Sequence, residues 1–319
     1  MEYSNVWIEK YRPQKISELV LDSDIEDRIN AFLQNRNNVH LMISGMPGVG
    51  KTTTVRCVAK KILGENIKDG YLELNAAEDR GVGSISAIIP PFCRRVVNFN
   101  KSRVILFDEA DNLTQKCQHI IANMIKEFGY NTKFIFTCNV SDKIIEDIQS
   151  VCRIIRYKPL TNEQIKKYLI NICAKEGIKY NDSGLNIICT ISGGDMRKAI
   201  NDLQKTAYTY NKIDKKSVIS ICSIPDPADI EKVIKYCLEK NIDSAIESTT
   251  MLIEEGFHYP VIITSFVNVL ITFPDISEHM RLQLIHIVNQ TKIIISTSSR
   301  SRLQLTGMIC RLIMEIEKH

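Results

Sequence analysis

This sequence lacks the features that identify zinc-binding, membrane-spanning or secreted proteins. Its ten cysteines are scattered, with no Cys-x-x-Cys pair and no histidines at zinc-finger spacing. We expect reduced thiols in a reducing compartment rather than zinc ligands. The most apolar stretch, residues 259–273, is short and is broken by polar side chains. Since the amino-terminal end also lacks a basic and apolar leader, the sequence predicts neither a membrane span nor a secretory signal.

A strong excess of charge is also missing. The 319 residues include 41 Lys and Arg against 37 Asp and Glu, a net charge of +4. This balance permits contact with a polyanion but falls short of what would identify a nucleic-acid-binding protein by itself. There is no internal repeat and no low-complexity tract. A chain of this length buries a sizeable core and exceeds the usual size of one domain, so we expect two or three domains.

The first half of the sequence alternates short β-rich runs with helical patterns, which predicts a parallel sheet covered by helices on both faces. The predicted strands are residues 39–44, 71–75, 103–108, 133–138 and 153–157. After residue 160 the patterns are helical, and the Pro-Asp-Pro run at 225–227 interrupts them. We therefore predict an α/β domain at 1–160, a small helical domain at 161–224 and a further helical domain at 225–319.

A phosphate-binding motif lies between the first predicted strand and a helical pattern. Residues 45–52 match the pattern G-x-x-x-x-G-K-[ST]. In such a loop, backbone N–H groups surround the phosphates, Lys51 reaches the β and γ oxygens, and the Thr52 hydroxyl is a ligand of Mg²⁺. The predicted ATP site comprises Gly45, Met46, Pro47, Gly48, Val49, Gly50, Lys51, Thr52 and Thr53.

Two adjacent carboxylates end the apolar run at 103–108. Because alternate residues of a strand face opposite ways, Asp108 and Glu109 are expected to differ in role. Asp108 would hold the metal and Glu109 would orient and deprotonate the attacking water. The alternative is an acidic surface turn. The four residues 108–111 read D-E-A-D, yet the chain is too short for the second motor domain of a DEAD-box helicase.

An ordered series of motifs resembles the replication factor C small subunits. Residues 6–13, V-W-I-E-K-Y-R-P, resemble that family's W-V-E-K-Y-R-P opening. The phosphate-binding loop and family-like segments at 72–76, 79–81, 108–111, 137–139 and 194–197 follow in order. The match covers about the first two thirds strongly and the rest weakly. By residues 141–146 and 194–201, the chain is most similar to subunit 2 of animals.

This resemblance implies a P-loop AAA+ parallel-sheet domain, a small helical lid and an all-α carboxyl-terminal collar. Such subunits form a nuclear hetero-pentamer through their collars, open the sliding clamp PCNA and load it onto primer-template DNA. The family's adenine pocket corresponds to Ile8, Tyr11, Arg12 and Val20, and its γ-phosphate sensors correspond to Asn139 and Arg197. With ATP and Mg²⁺ as cofactors, the implied catalytic residues are Lys51, Glu109, Asn139 and Arg197.

Three segments depart from the family pattern. Val151 stands where relatives have the arginine finger that acts on a neighbouring subunit's ATP, and Arg153 is the candidate replacement if the chain is extended from Ser150. Residues 120–123 read I-I-A-N where relatives read A-L-R-R. The helix after Gly81, basic in relatives, has few charges here. The residues left for DNA contact are Arg80, Ser84, Arg94 and Arg95.

These departures keep alternatives open. The first function is an active ATPase of a clamp loader, and the second is a nucleotide-binding interaction subunit with little hydrolysis of its own. An independent AAA+ remodeller is a third. A further pattern, Gln118, Ile121, Met124 and Ile125, resembles a PCNA-binding Q-x-x-I-x-x-aromatic motif without its aromatic residues. The competing interpretation is that these side chains pack on the sheet.

Overall fold

Five parallel strands form the central sheet of the computed structural model, and each predicted strand is confirmed to within one residue at either end. They are β1 (His40–Ser44), β2 (Tyr71–Asn75), β3 (Arg103–Asp108), β4 (Thr132–Cys138) and β5 (Cys152–Arg156). Their order is β2-β3-β4-β1-β5. Every residue of β1 and β4 is buried, as expected for central strands with helices on both faces.

The structure describes residues 6–34, 39–77, 81–95, 103–274, 276–297 and 301–318. The chain folds as two units, residues 1–214 and residues 215–319. All ten cysteines are free thiols and seven of them are buried. None of the helices in the described ranges combines the length and the apolar content that crossing a bilayer requires.

Helices cover both faces of the sheet. The helices of this part of the chain are α1 (Trp7–Lys10), α2 (Ser23–Gln34), α3 (Lys51–Leu63), α4 (Ile67–Gly70), α5 (Val82–Arg94), α6 (Gln115–Phe128) and α7 (Glu146–Gln149). Alternation along the strands divides the apolar side chains into two cores. Phe107, Phe134 and Phe136 belong to the core shared with α5 and α6. Leu41 and Ile43 belong to the core shared with α2 and α3.

The remainder of the first unit is largely helical, as the sequence predicts. Its helices are α8 (Asn162–Glu176), α9 (Asp182–Ser192) and α10 (Met196–Tyr210). Thr161 and Gln164 form a capping box at the start of α8. Two short parallel strands, β6 (Lys179–Tyr180) and β7 (Lys212–Ile213), were not predicted.

The second unit is all-helical in the residues described. It consists of α11 (Lys215–Cys222), α12 (Pro227–Leu238), α13 (Ile242–Glu254), α14 (Tyr259–Thr272), α15 (Glu278–Thr297) and α16 (Arg302–Glu317). Asp226 caps α12 by accepting from the Ala228 backbone N–H at 3.0 Å. Because α11 belongs to this unit, the unit begins ten residues before the predicted collar boundary. The domain limits 160/161 and 224/225 remain predictions.

Candidate nucleotide-binding site

The phosphate-binding loop connects the end of β1 to the start of α3. Gly48 and Gly50 have φ angles of +73° and +93°, a region that side chains with a Cβ rarely adopt. The glycines thus allow the loop to turn back toward the amino-terminal end of α3, where free backbone N–H groups and the helix dipole favour an anion. The predicted loop and helix therefore have the geometry of a phosphate site.

Lys51 has three acceptors within its own site. Its Nζ donates to the Gly45 carbonyl at 2.7 Å, the Met46 carbonyl at 2.9 Å and Asn139 Oδ1 at 2.8 Å. Burial lowers the pKa of Lys51. The bond to Asn139, which follows β4, places the two predicted phosphate-reading groups in direct contact.

Asp108 ends β3 beside the hydroxyl predicted to share its metal. Thr52 Oγ1 donates to Asp108 Oδ1 at 2.9 Å. Thr137, on the neighbouring strand β4, also donates its hydroxyl to Asp108. The sequence interpretation missed Thr137 as a site residue, although its position two residues before Asn139 on the predicted strand was a usable signal.

Glu109 does not continue the strand. Its φ and ψ are 54° and 42°, so the chain turns into a left-handed conformation directly after Asp108. The Glu109 backbone N–H donates to Thr137 Oγ1 at 3.2 Å, and Asn112 Nδ2 donates to its Oε2 at 3.1 Å. The expectation of strand alternation was wrong here. The backbone turns between the two residues, and both line one pocket.

The amino-terminal segment closes the opposite side of the pocket. Arg12 contacts both carboxylate oxygens of Glu9 and donates to Thr53 Oγ1 at 3.3 Å. The hydrogen bond from Arg12 holds the pKa of Glu9 below its ordinary value. Tyr11 donates its hydroxyl to Glu176 of α8 at 2.5 Å. This segment therefore links the loop to the lid helices.

One pocket brings most predicted residues together. It is lined by Ile8, Tyr11, Arg12, Val20, Pro47, Gly48, Val49, Gly50, Lys51, Thr52, Thr53, Asp108, Glu109, Asn139 and Arg197. Gly45 and Met46 do not line it but accept from Lys51. Arg197, the second residue of α10, is exposed. Lining residues that the sequence analysis did not assign include Leu19, Leu21, Thr137, Tyr168 and Ile200.

Family models match three successive parts of the chain. Residues 41–160 match the ATPase family associated with various cellular activities (AAA), residues 167–208 an AAA+ ATPase lid domain, and residues 225–311 the replication factor C carboxyl-terminal domain. A replication factor C small subunit of Acanthamoeba polyphaga mimivirus is 60% identical, covering 100% of this chain and 99% of the relative. The chain belongs to the replication factor C small subunit family.

Other comparisons agree with this. Replication factor C subunit 4 of Schizosaccharomyces pombe is 36% identical over 97% of this chain and 91% of the relative. The solved Thermotoga maritima RuvB Holliday junction branch migration motor has a TM-score of 0.55 at 16% identity, covering 75% of this chain and 85% of that one. The latter shows the fold alone. The resemblance to the replication factor C small subunits is therefore confirmed. The Schizosaccharomyces pombe relative is a subunit 4, whereas the motifs quoted above resemble subunit 2.

The protein is thus a nucleotide-binding AAA+ ATPase of the clamp-loader family that serves DNA replication. Three residues predicted for DNA contact, Ser84, Arg94 and Arg95, lie on α5 or directly after it and do not line the pocket. Ser84 and Arg95 are exposed, while Arg94 pairs with Glu127 at 3.1 Å. Arg80 lies outside the described residues. The exposed residues of α5 between positions 83 and 88 are uncharged.

The PCNA-like pattern on α6 is wrong as a surface motif. Gln118 is 1% exposed, and Ile121, Met124 and Ile125 belong to the buried core. Gln118 Nε2 donates to the Leu113 and Lys143 carbonyls at 3.1 and 3.0 Å, and its Oε1 accepts from Ile145 N at 2.8 Å. The packing interpretation of this helix is confirmed.

The premise for Arg153 as a substitute finger is also wrong. Ser150 is helical, with φ −64° and ψ −28°, and strand β5 begins only at Cys152. The chain is not extended from Ser150, so spacing along a strand cannot place Arg153 on the face of Val151. Both side chains are exposed. A functional role for Arg153 remains a prediction without that geometric support.

Proposed function

We propose that this chain is an ATP-hydrolysing small subunit of a replication factor C complex that opens PCNA and loads it onto primer-template DNA. The observation that carries the proposal is the single pocket in which the phosphate-binding loop, Asp108, Glu109, Asn139 and Arg197 meet. Residues from three strand ends and from the lid converge there although they are far apart in the chain. The family membership supports the clamp-loading part of the proposal.

The pocket supports a defined division of roles. Lys51 pairs with the β and γ phosphate oxygens once these replace its present acceptors. Glu109 orients the attacking water and takes its proton. Asn139 and Arg197 approach the γ phosphate from the sheet and from the lid. Ile8, Tyr11, Arg12 and Val20 enclose the adenine end.

The oxygen donors of the pocket fit Mg²⁺. Thr52 Oγ1 and Asp108 Oδ1 lie 2.9 Å apart and offer the hard oxygen ligands this ion prefers. Sites with so few protein ligands are typical of Mg²⁺ bound with phosphates and water. Mg²⁺ would neutralise charge on the β and γ phosphates, with Thr52 and Asp108 as its protein ligands.

The remaining parts of the proposal concern assembly and location. Residues 1–160 would form the ATPase domain, 161–224 the lid and 225–319 the collar that joins other replication factor C subunits in a hetero-pentamer. DNA would contact the α5 region through Ser84, Arg94, Arg95 and Arg80. The pairing of Arg94 with Glu127 weakens this contact, so few ion pairs to phosphate are expected. A nuclear location follows the eukaryotic relatives, and imaging of a tagged chain tests it.

The second candidate function is a nucleotide-binding interaction subunit with little turnover. Val151 at the finger position favours it, because valine cannot donate to a neighbour's phosphate. Ala122, buried at 4% exposure, also leaves no arginine on that part of α6. The complete set of Lys51, Asp108 and Glu109 favours the active ATPase.

Purification of a tagged chain from its source cells tests the proposed function. We expect four other replication factor C subunits by mass spectrometry, and ATP-dependent retention of PCNA on primed circular DNA. Lys51→Ala should assemble but fail to retain the clamp. A homo-hexamer, or an assembly that never retains PCNA, would contradict the proposal. An assembly that loads PCNA undiminished with Glu109→Gln in this chain would favour the second candidate.

A further inference from the structure

The start of the lid helix α10 lies directly on the phosphate-binding loop. The Met196 backbone N–H donates to the Gly48 carbonyl at 3.1 Å. Asp195 caps the helix, its Oδ1 accepting from the Lys198 N–H at 3.0 Å. The same carboxylate packs against Gly48, since a Cβ added to Gly48 would lie 1.7 Å from Asp195 Oδ1. Gly48 is therefore held from two sides by the beginning of α10.

The residues before Asp195 contact the connection between sheet and lid. Gly193 and Gly194 have φ angles of +58° and +91°. A Cβ on Gly194 would lie 2.8 Å from Pro159 Cβ, and Leu160 N donates to the Gly194 carbonyl at 3.4 Å. The segment 194–196 thus contacts the phosphate-binding loop through Met196 and Asp195, and the start of the lid through Gly194.

Further along, α10 contacts the adenine side. Gln204 Oε1 accepts from the Trp7 backbone N–H at 3.0 Å, and the Trp7 ring packs edge-on against Tyr208 at 5.8 Å between centroids. Trp7 is 2% exposed and begins α1, which carries Ile8. One rigid helix therefore joins the phosphate loop to the adenine-side segment.

We propose that Asp195 is a positioning residue that sets Arg197 against the γ phosphate by seating the start of α10 on Gly48. Arg197 follows Met196, so its backbone position is tied to the loop that holds the phosphates. A carboxylate beside a polyanion site opposes phosphate binding by its charge. Its contribution is then the placement of α10. This inference rests on the proposed function, in which Arg197 contacts the γ phosphate.

The test measures the preference for ATP over ADP in the full-length chain, in a Glu109→Gln background that prevents turnover. Arg197→Ala should reduce this preference about tenfold, as expected for one charge-assisted hydrogen bond. Asp195→Ala should reduce it nearly as much, and the double variant should lose no more than Arg197→Ala alone. Asp195→Asn retains the cap and should restore the preference to within about twofold.

The matched control is Asn241→Ala, which removes the cap of α13 in the second unit, where Asn241 Oδ1 accepts from Ser244 N at 3.2 Å. It should lower the melting temperature and leave the nucleotide preference unchanged. The inference is overturned alone if Asp195→Ala behaves like this control, or if the losses from Asp195→Ala and Arg197→Ala multiply. A parent chain that binds no ATP would overturn the proposed function as well.

Discussion

The two edges of the parallel sheet carry polar side chains at strand ends but use them differently. At the carboxyl edge, Asp108, Thr137 and Asn139 meet around a pocket that opens to ligand. At the amino edge, His40 begins β1 and Lys133 is the second residue of β4, and both are at most 9% exposed. The same strands therefore support a binding site at one edge and a sealed core at the other.

Burial at the amino edge favours neutral side chains. His40 Nδ1 accepts from the Phe134 N–H at 3.2 Å, and burial together with nearby Lys133 lowers the pKa of His40 to about 4. Burial also lowers the pKa of Lys133, whose Nζ donates to the Val39 carbonyl at 3.4 Å. Gly129 leaves room for the imidazole, since a Cβ there would lie 3.0 Å from His40 Nε2.

The comparison teaches that polarity at a strand end does not by itself indicate a site. In open α/β sheets, ligands bind outside the carboxyl ends of strands, where loops and helix amino termini converge. Lys51 is half-buried and Lys133 is buried, and burial lowers the pKa of both side chains. Only Lys51 is surrounded by groups that face a pocket.

The largest expected effect is on ATP affinity, when each of these two lysines is replaced in turn. Lys51→Ala should lower ATP affinity by about 100-fold or more, because several charge-assisted contacts to phosphate are lost together. Lys133→Met should leave ATP affinity unchanged and alter only stability. Equilibrium titration with a fluorescent ATP analogue measures both. Wild-type affinity in Lys51→Ala would remove the functional contrast between the edges.

The next effect separates binding from chemistry within the carboxyl edge. Glu109→Gln should keep ATP affinity within about twofold and slow single-turnover hydrolysis by about 10²–10⁴-fold, since Glu109 acts on the attacking water rather than on bound phosphate. Rapid-quench measurement on the assembled complex gives the rate. Unchanged hydrolysis would remove Glu109 from the role of general base.

At the amino edge, the expected effect is on stability. Because folding holds the pKa of His40 at about 4, below its ordinary 6.5, the unfolded chain takes up the proton first as the pH falls. The free energy of unfolding should therefore fall by about 2 kcal/mol between pH 7 and pH 5 from this group. Urea unfolding across this range measures the slope.

Two variants check the assignment to His40. His40→Gln should flatten the pH dependence, whereas the exposed His119→Gln should leave it as in the wild type. Equal slopes in all three proteins would show that His40 is not the responsible group.

The smallest expected effect is on ATP hydrolysis at a neighbouring subunit, which residues near the amino edge would influence. Val151 lies just before β5, at the position where the family resemblance predicts a finger. Val151→Arg should raise the steady-state ATPase of the assembled, DNA-stimulated complex by well under the roughly 10³-fold attributed to a native arginine finger. The measurement compares this variant with Arg153→Ala, which should change little.

Each opposite result in that pair has its own meaning. A collapse of turnover in Arg153→Ala would show that Arg153 supplies the finger from another position. No change in either variant would mean that this interface is not a working hydrolysis site. The collar and the subunit's own pocket would then be its main contributions.

Local pattern was sufficient for the strands, for the phosphate-binding loop and for the two carboxylates Asp108 and Glu109. The alternation of apolar residues identified all five strands of the sheet, and glycine spacing identified the loop before α3. Because the carboxyl ends of parallel strands share one edge, the strand pattern also brings Asp108 to this loop. The family resemblance was needed for Arg197, since one arginine on a helix carries no local signal. It was also needed for Asn139 and for the adenine-pocket residues Ile8, Tyr11, Arg12 and Val20.

Tertiary structure decided the directions and partners of individual side chains. Some of these features join residues that are distant in sequence, such as the pairing of Arg94 with Glu127 and the contact of Asp195 with Gly48. Others depend on local backbone conformation or packing, such as the turn at Glu109 and the burial of Gln118. Periodicity reports which face of an element is apolar, but it does not report which neighbour covers that face. The sequence by itself therefore determined the fold and the location of the site, and packing determined which polar groups reach it.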